Sequence, residues 1–195
     1  RYRTEGPILY VGRLLPHKGV DYLIEGVPAN LPVKIIGKPL DKSFLDHLKK
    51  LAKGKQIEFL HQVEDGQLLE IYQGACCVVL PSVYQTRFDK TTKVPELLGQ
   101  TLLEGMACAI PAICTDVASM PEVVQDKETG FVVPPNDPKS LYNRLEWLKA
   151  NPHASEQMGK AGLRRVSECF DWNRVVDDCF RIYGIHPVRN VSDLR

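Results

Sequence analysis

The sequence predicts an α/β protein, a doubly wound parallel six-stranded sheet in the Rossmann-like order 3-2-1-4-5-6. Three observations carry that prediction. Apolar runs of strand length alternate with amphipathic runs of helix length along the 195 residues. The apolar runs, such as PILYV, VKII and CCVVL, are continuous rather than interleaved with polar residues. Strands of that kind are buried on both faces, so the sheet is parallel with helices on each side. The first two runs close on glycines, Gly12 and Gly37, where a strand hands over to a turn. With right-handed crossovers, the winding reverses between the first and fourth strands, and a ligand crevice opens at their carboxyl ends.

Each element has a local reason. Residues 7–11 form the first strand, and Val20, Leu23, Ile24 and Val27 share one face of the helix that follows. Pro28 to Pro32 ends that helix, and residues 33–37 are the second strand. Asp41 or Ser43 caps a helix carrying Phe44, Leu45, Leu48 and Leu51. Residues 56–60 are the third strand, Asp65 caps a helix over 67–74, and Pro81 stops a fourth strand over 76–81. Residues 82–94 carry neither period and read as an irregular polar stretch, a length of loop that is either functional or a mobile insert. Gly99 turns the chain into a small-residue helix over 100–108. A fifth strand covers 110–115, a short helix over 120–124 starts at Ser119 or Pro121, and a sixth strand covers 130–135. Asp137-Pro138 opens a helix to residue 150, Pro152 another to residue 170, and Asp171 caps a last one over 172–183. The domain is expected to span residues 1–184, with 185–195 a loose tail.

A composition of 44% hydrophobic and 25% charged residues fits one core and no more than one large domain. The net charge of +1 offers no bulk attraction to nucleic acid or an anionic membrane, though a local phosphate site would not move this total. The chain begins at Arg1, shows no signal-peptide pattern, and has no apolar run near the roughly 20 residues of a membrane helix. It reads as an excised piece of a longer, cytoplasmic protein. None of its six cysteines forms a CxxC pair, and no histidine spacing completes a zinc site. Reduced, buried thiols and no metal site are expected.

Neither GxGxxG nor GxxxxGK[ST] occurs, so the crevice must hold its ligand by other chemistry. Arg13 and Lys18 follow the first strand beyond Gly12. A planar fork and a compact point charge together suit a diphosphate; two basic loop residues also read as solvated surface. Gly99-Gln100-Thr101-Leu102 opens a helix whose free amides and positive dipole end make an anion site without any side chain. Glu104, flanked by Leu102, Leu103 and Met106, needs partners, and paired ribose hydroxyls would supply them. A local cap or salt bridge is the plainer alternative. Glu96, just before this helix, can accept hydrogen bonds from a sugar or stand as an exposed loop acid. Tyr84, Arg87, Lys90 and Lys93 decorate the 82–94 stretch, and none of the five scattered histidines is assigned a catalytic role.

In this order, VGRLLPHKGVDYLIEGV, IIGKP, IEFLHQV, CCVVLPS, PELLGQTLLEGMACAIPAICTD, MPEVVQDKETGFVVPPND and FDWNRVV resemble the retaining GT-B glycosyltransferases. That family includes bacterial glycogen synthase, sucrose-phosphate synthase and many mannosyl- and glucosyltransferases. The resemblance covers residues 7–183 and matches only the C-terminal, donor-binding half of the GT-B fold. It implies a domain that binds a nucleotide sugar (NDP-sugar) as substrate, with no further cofactor or metal. The enzyme would transfer a hexose to an acceptor held by an N-terminal domain absent from this sequence. Any membrane contact would fall to that domain, and the fragment alone is expected to be inactive.

The resemblance implies catalytic roles for Arg13, Lys18 and Glu96: the cations grip the donor diphosphate, and Glu96 faces the sugar hydroxyls. Gly12, Gly37, Val63, Gly99, Gln100, Thr101, Leu102 and Glu104 are implied as donor-binding. Glu104 takes the ribose, the amides of 100–102 meet sugar and phosphate, and the base lies against the loops carrying Gly37, Lys38, Pro39 and Val63. The sequence departs from the family in three places. Glu96 stands fourteen residues after Ser82, where the family places its first glutamate only a few residues on. Ala109 replaces a common glycine. Ala118-Ser119 replaces a glycine pair, so the turn there is expected to relax. The alternative readings are a GT-B phosphorylase, a sugar-nucleotide epimerase, or a non-catalytic nucleotide-binding module.

Overall fold

The computed structural model describes residues 4–184. Six strands, β1 (Ile8–Val11), β2 (Val33–Ile36), β3 (Ile57–Leu60), β4 (Cys77–Leu80), β5 (Ala112–Thr115) and β6 (Gly130–Val133), form one sheet in the order β3-β2-β1-β4-β5-β6. Every pairing is parallel. This is the doubly wound order expected from the continuous apolar runs. Every residue of β4 and β5 is buried, whereas β3, at a sheet edge, is only half-buried.

The helices are α1 (Val20–Gly26), α2 (Lys42–Leu51), α3 (Asp65–Gly74), α4 (Gln100–Ala107), α5 (Met120–Val123), α6 (Pro138–Ala150), α7 (Pro152–Cys169) and α8 (Trp172–Tyr183). The steps β1 to β2 to β3 run one way across the sheet, and those from β3 through β6 run the other. Right-handed crossovers therefore put α1 and α2 on one face and α3, α4 and α5 on the opposite face. Helix α6 packs against α1, and α7 against α4, so both faces are covered.

Asp41 caps α2 by accepting from the amides of Ser43 and Phe44, and Asp137 and Asp171 cap α6 and α8 in the same way. At α3 the expectation needs correcting. Glu64 is the N-cap and makes no side-chain cap bond, and Asp65 lies in the first turn, where its charge still complements the helix dipole.

The 82–94 stretch is more ordered than its sequence implies. Gln85 bridges Thr91 in antiparallel fashion, Thr86 N–H donates to Lys90 O (2.9 Å), and Thr92 N–H donates to Tyr84 O (2.8 Å). This small hairpin is pinned to α1 by Arg87, which donates to Asp21 (2.6 Å) and to both oxygens of Glu25 (2.7 and 2.9 Å) and stacks over Tyr22. No strand period marks it because side-chain anchors, not a buried face, hold it.

The turn at Ala118 does not relax. Ala109 (φ 58°) and Ala118 (φ 51°) both keep the left-handed backbone that glycine would adopt more readily. The expected tail, 185–195, lies outside the described residues.

Candidate functional site

The site begins where β1 and β4 end side by side. Beyond Gly12 the chain makes a tight 3-10 turn over Pro16–Lys18 and closes it at Gly19, whose φ of 68° is left-handed. A Cβ at Gly19 would stand 1.9 Å from the carbonyl oxygen of Pro81. Glycine therefore lets the 13–19 loop lie directly on the chain leaving β4. Val83 N–H donates to His17 O (2.8 Å) across the same junction. Lys18 is thereby buried between the two strand ends, a position a lysine occupies only with partners.

The opposite wall is the stretch from Pro95 to Thr101. Gly99 (φ 78°) N-caps α4 in the left-handed conformation. The amides of Leu102 and Leu103 donate to Gly99 O (2.9 and 3.4 Å), while those of Gln100 and Thr101, at the first two helical positions, have no intrahelical acceptor. The Ser119 hydroxyl donates to Leu97 O and ties this loop to the start of α5.

Between the walls lies a cavity of about 520 Å³, bounded by Gly12, Arg13, Lys18, Glu96, Gly99, Gln100 and Thr101 with the apolar Val11, Leu80, Leu97 and Leu98. A smaller cavity of about 40 Å³ beside Asn30 and Cys76 holds none of these residues. Lys18 Nζ donates to Glu96 Oε2 (2.7 Å) and to Pro95 O (3.1 Å). Their side chains are only 10% and 15% exposed, so the pair is shielded from water. The Arg13 side chain is exposed and makes no salt bridge or hydrogen bond among the described residues.

Tyr10 lies fully buried below, its hydroxyl donating to Arg13 O (2.9 Å). Burial, and then the charge of Glu96, push its phenol well above the ordinary range, so it stays neutral. Burial, followed by the charges of Lys18 and Arg13, holds His17 below its ordinary 6.5. Two cations, one carboxylate and the positive end of α4 thus surround one space, an arrangement that suits a ligand with adjacent anionic and hydroxyl-bearing parts.

The other expected residues stand outside this cavity. Gly37 is one layer away: a Cβ there would lie 1.8 Å from Gly12 O, and its carbonyl lies 2.9 Å from His61 Nδ1. Val63 is half-buried, and the loop at Lys38 and Pro39 runs beside Leu14. The Leu102 side chain is in the core and its amide is already bonded to Gly99. Glu104 sits one turn further along α4, exposed, its Oε2 accepting from the Tyr72 hydroxyl at 2.7 Å.

Tyr10, Tyr72 and the Pro95 carbonyl were not singled out from sequence. The usable signal for the tyrosines was a polar tip inside an apolar run or on a packed helix, since a buried phenol needs a partner. Among the described residues, no group of three His, Cys, Asp or Glu is placed to hold a metal ion, and no helix is long and apolar enough to cross a membrane.

A parallel sheet wound this way, with cations and a helix start at its switch point, defines a doubly wound, Rossmann-like α/β domain with a candidate anion site. Residues 2–165 match the family "Glycosyl transferases group 1", and the chain belongs to that family. Its fold is that of the C-terminal, Rossmann-like domain of GT-B glycosyltransferases. The alpha-maltose-1-phosphate synthase of Mycolicibacterium smegmatis is 30% identical over 192 residues, which cover 90% of this chain and 47% of that protein. Sucrose-phosphate synthase from Thermosynechococcus elongatus superposes with a TM-score of 0.74 at 27% identity, over 93% of this chain and 45% of that one. Anabaena HepE in complex with UDP-glucose superposes with a TM-score of 0.77 at 18% identity, over 91% of this chain and 48% of that one. The chain spans under half the length of the curated relatives it matches.

Proposed function

We propose that this chain is the donor-binding domain of a retaining, cytoplasmic glycosyltransferase that moves a hexose from an NDP-sugar to an acceptor held by a separate N-terminal domain. The observation that carries the reading is the convergence of Arg13, Lys18, Glu96 and the α4 start on one cavity of about 520 Å³ at the ends of β1 and β4. That volume falls within the roughly 300–1,000 Å³ of small-molecule sites. Membership of the group 1 family and a fold shared with a protein bound to UDP-glucose support the same reading.

In this mechanism Arg13, Lys18 and the amides of Gln100 and Thr101 hold the donor diphosphate. Negative charge grows on the departing nucleoside diphosphate as the glycosidic bond breaks, and fixed cations with a helix end stabilise it without reorganising. By analogy with oxyanion holes, each such donor lowers the barrier by about 3–4 kcal/mol. Glu96 faces the sugar hydroxyls, and Glu104 accepts from the ribose.

Titration calorimetry with UDP, GDP and ADP tests the reading. The expected result is weak binding of one of them, reduced by Lys18→Ala and by Glu104→Ala, with no transferase activity from this chain alone. No binding, or binding indifferent to both substitutions, would show a non-catalytic module. Robust glycosyl transfer by the fragment would remove the need for a second domain. Product analysis of a full-length protein separates transfer from phosphorolysis and epimerisation.

A further inference from the structure

Helix α3 is the long crossover from β3 to β4, and it runs on the same face as α4. Tyr72, in its last turn, is 3% exposed. Its hydroxyl lies 2.7 Å from Glu104 Oε2 and 3.4 Å from Thr101 O, so one phenol touches both the carboxylate and the backbone of the first turn of α4. Residues 100 and 104 are four apart on a helix, and 101 and 104 are three apart, so Glu104 continues the face that Gln100 and Thr101 present to the cavity.

We propose that Tyr72 is a positioning residue for ligand recognition: it fixes the Glu104 carboxylate so that its free oxygen accepts from the ribose hydroxyls of a nucleoside diphosphate. The proposal rests on the donor-binding reading above. An exposed glutamate has several rotamers open to it, and ordering it for a ligand costs conformational entropy. The Tyr72 ring is held by packing on all sides. Burial and the neighbouring Glu104 push its phenol far above the ordinary range, so it is a donor and not an acceptor. A hydrogen bond from a locked donor to a charged acceptor is of the strong kind, and it selects one rotamer before the ligand arrives. Oε2 is occupied, while Oε1 has no protein donor among the described residues. One carboxylate oxygen is therefore anchored and the other is left for a diol. A merely satisfied core tyrosine would need only the Thr101 carbonyl. The shorter bond goes instead to the carboxylate.

The test compares ribose with 2′-deoxyribose. Calorimetry on the whole chain is run with UDP and dUDP, GDP and dGDP, and ADP and dADP, for wild type, Tyr72→Phe and Glu104→Asp, with a thermal melt for each. Wild type is expected to prefer the ribonucleotide by about tenfold or more, as a hydrogen bond to a charged group implies. Tyr72→Phe removes only the hydroxyl and should reduce that preference to within about threefold, while the loss caused by Lys18→Ala stays the same in its presence. Glu104→Asp keeps the charge at an exposed position but withdraws it from Tyr72, and should lose the preference equally, whether or not the Phe variant folds. If Tyr72→Phe or Glu104→Asp keeps the full ribose preference, the positioning role is overturned and the donor-binding reading stands. If no nucleoside diphosphate binds wild type at all, that reading falls and the proposal with it.

Discussion

Lys18 and Glu96 are 78 residues apart in the chain and meet at 2.7 Å, nearly shielded from water, at the end of β1. The pair joins the cation expected at a diphosphate to the acid expected at a sugar. Each satisfies the other. A phosphate arriving at Lys18 therefore competes with Glu96 for the same ammonium.

That competition separates two substitutions. Lys18→Ala removes a charged donor worth about 1.5–3 kcal/mol, so nucleoside diphosphate affinity should fall roughly 10- to 100-fold. Glu96→Gln frees the lysine, so affinity for a bare nucleoside diphosphate should hold or rise, while the advantage of the matching NDP-sugar disappears. Calorimetry with both ligands reads the split. Equal losses for both ligands in Glu96→Gln would contradict a sugar-facing role for Glu96.

Arg87 holds the 82–94 hairpin on α1 through Oδ2 of Asp21, whose side chain is 1% exposed and whose Oδ1 accepts no hydrogen bond among the described residues. Removing the guanidinium leaves a buried carboxylate uncompensated. Breaking a buried pair costs about 3–5 kcal/mol; with Arg87 itself partly exposed, roughly 1–3 kcal/mol is expected for Arg87→Ala. At about 2–4 °C per kcal/mol for a domain of this size, the melting temperature should drop measurably. The double variant Asp21→Asn with Arg87→Met should lose less than Arg87→Ala. A larger loss in the double variant would show that the pair itself, not the orphaned charge, dominates.

The bidentate bond from Arg87 holds the Glu25 carboxyl below its ordinary 4.5. A carboxyl with a depressed folded-state value adds stability above its unfolded value and loses it as pH falls through the folded one. The melting-temperature gap between wild type and Glu25→Gln should therefore be constant above pH 4.5 and shrink below it. A gap that widens toward acid would reverse the assigned sign.

Ala109 and Ala118 occupy left-handed backbone, at φ of 58° and 51°. An L-residue there costs about 1–2 kcal/mol, partly offset by the greater unfolded-state freedom of glycine. Ala109→Gly and Ala118→Gly should each stabilise the domain by about 0.5–1 kcal/mol. Denaturant midpoints at unchanged slope would register the gain. A loss at either site would mean the methyl group packs better than its backbone is strained.

Much of this architecture is legible in the chain because it depends on short-range patterns. Continuous runs such as CVVL identify strands buried on both faces, and the alternation with amphipathic segments leaves few windings open. Gly19 and Gly99 stand at left-handed positions that a turn and a helix start require. Arg13, Lys18 and the opening of α4 were locatable because parallel sheets of this order bring the ends of β1 and β4 together. The 82–94 hairpin escaped because its order comes from Arg87 reaching a helix more than sixty residues earlier. Tyr72 escaped for the same kind of reason, since its periodicity says only that one face of α3 is packed.

Sequence alone was enough for the class of fold, the strand order and the strand ends where Arg13, Lys18 and the start of α4 converge, since periodicity and handedness act over one or two elements at a time. Tertiary structure alone decided which side chains pair. The bond from Lys18 to Glu96, the anchoring of Glu104 by Tyr72, and the absence of Gly37, Val63 and Leu102 from the cavity wall all depend on rotamers and on the approach of distant loops. Those are set by packing of the whole chain, and no local pattern encodes a distance of 2.7 Å between residues 78 positions apart.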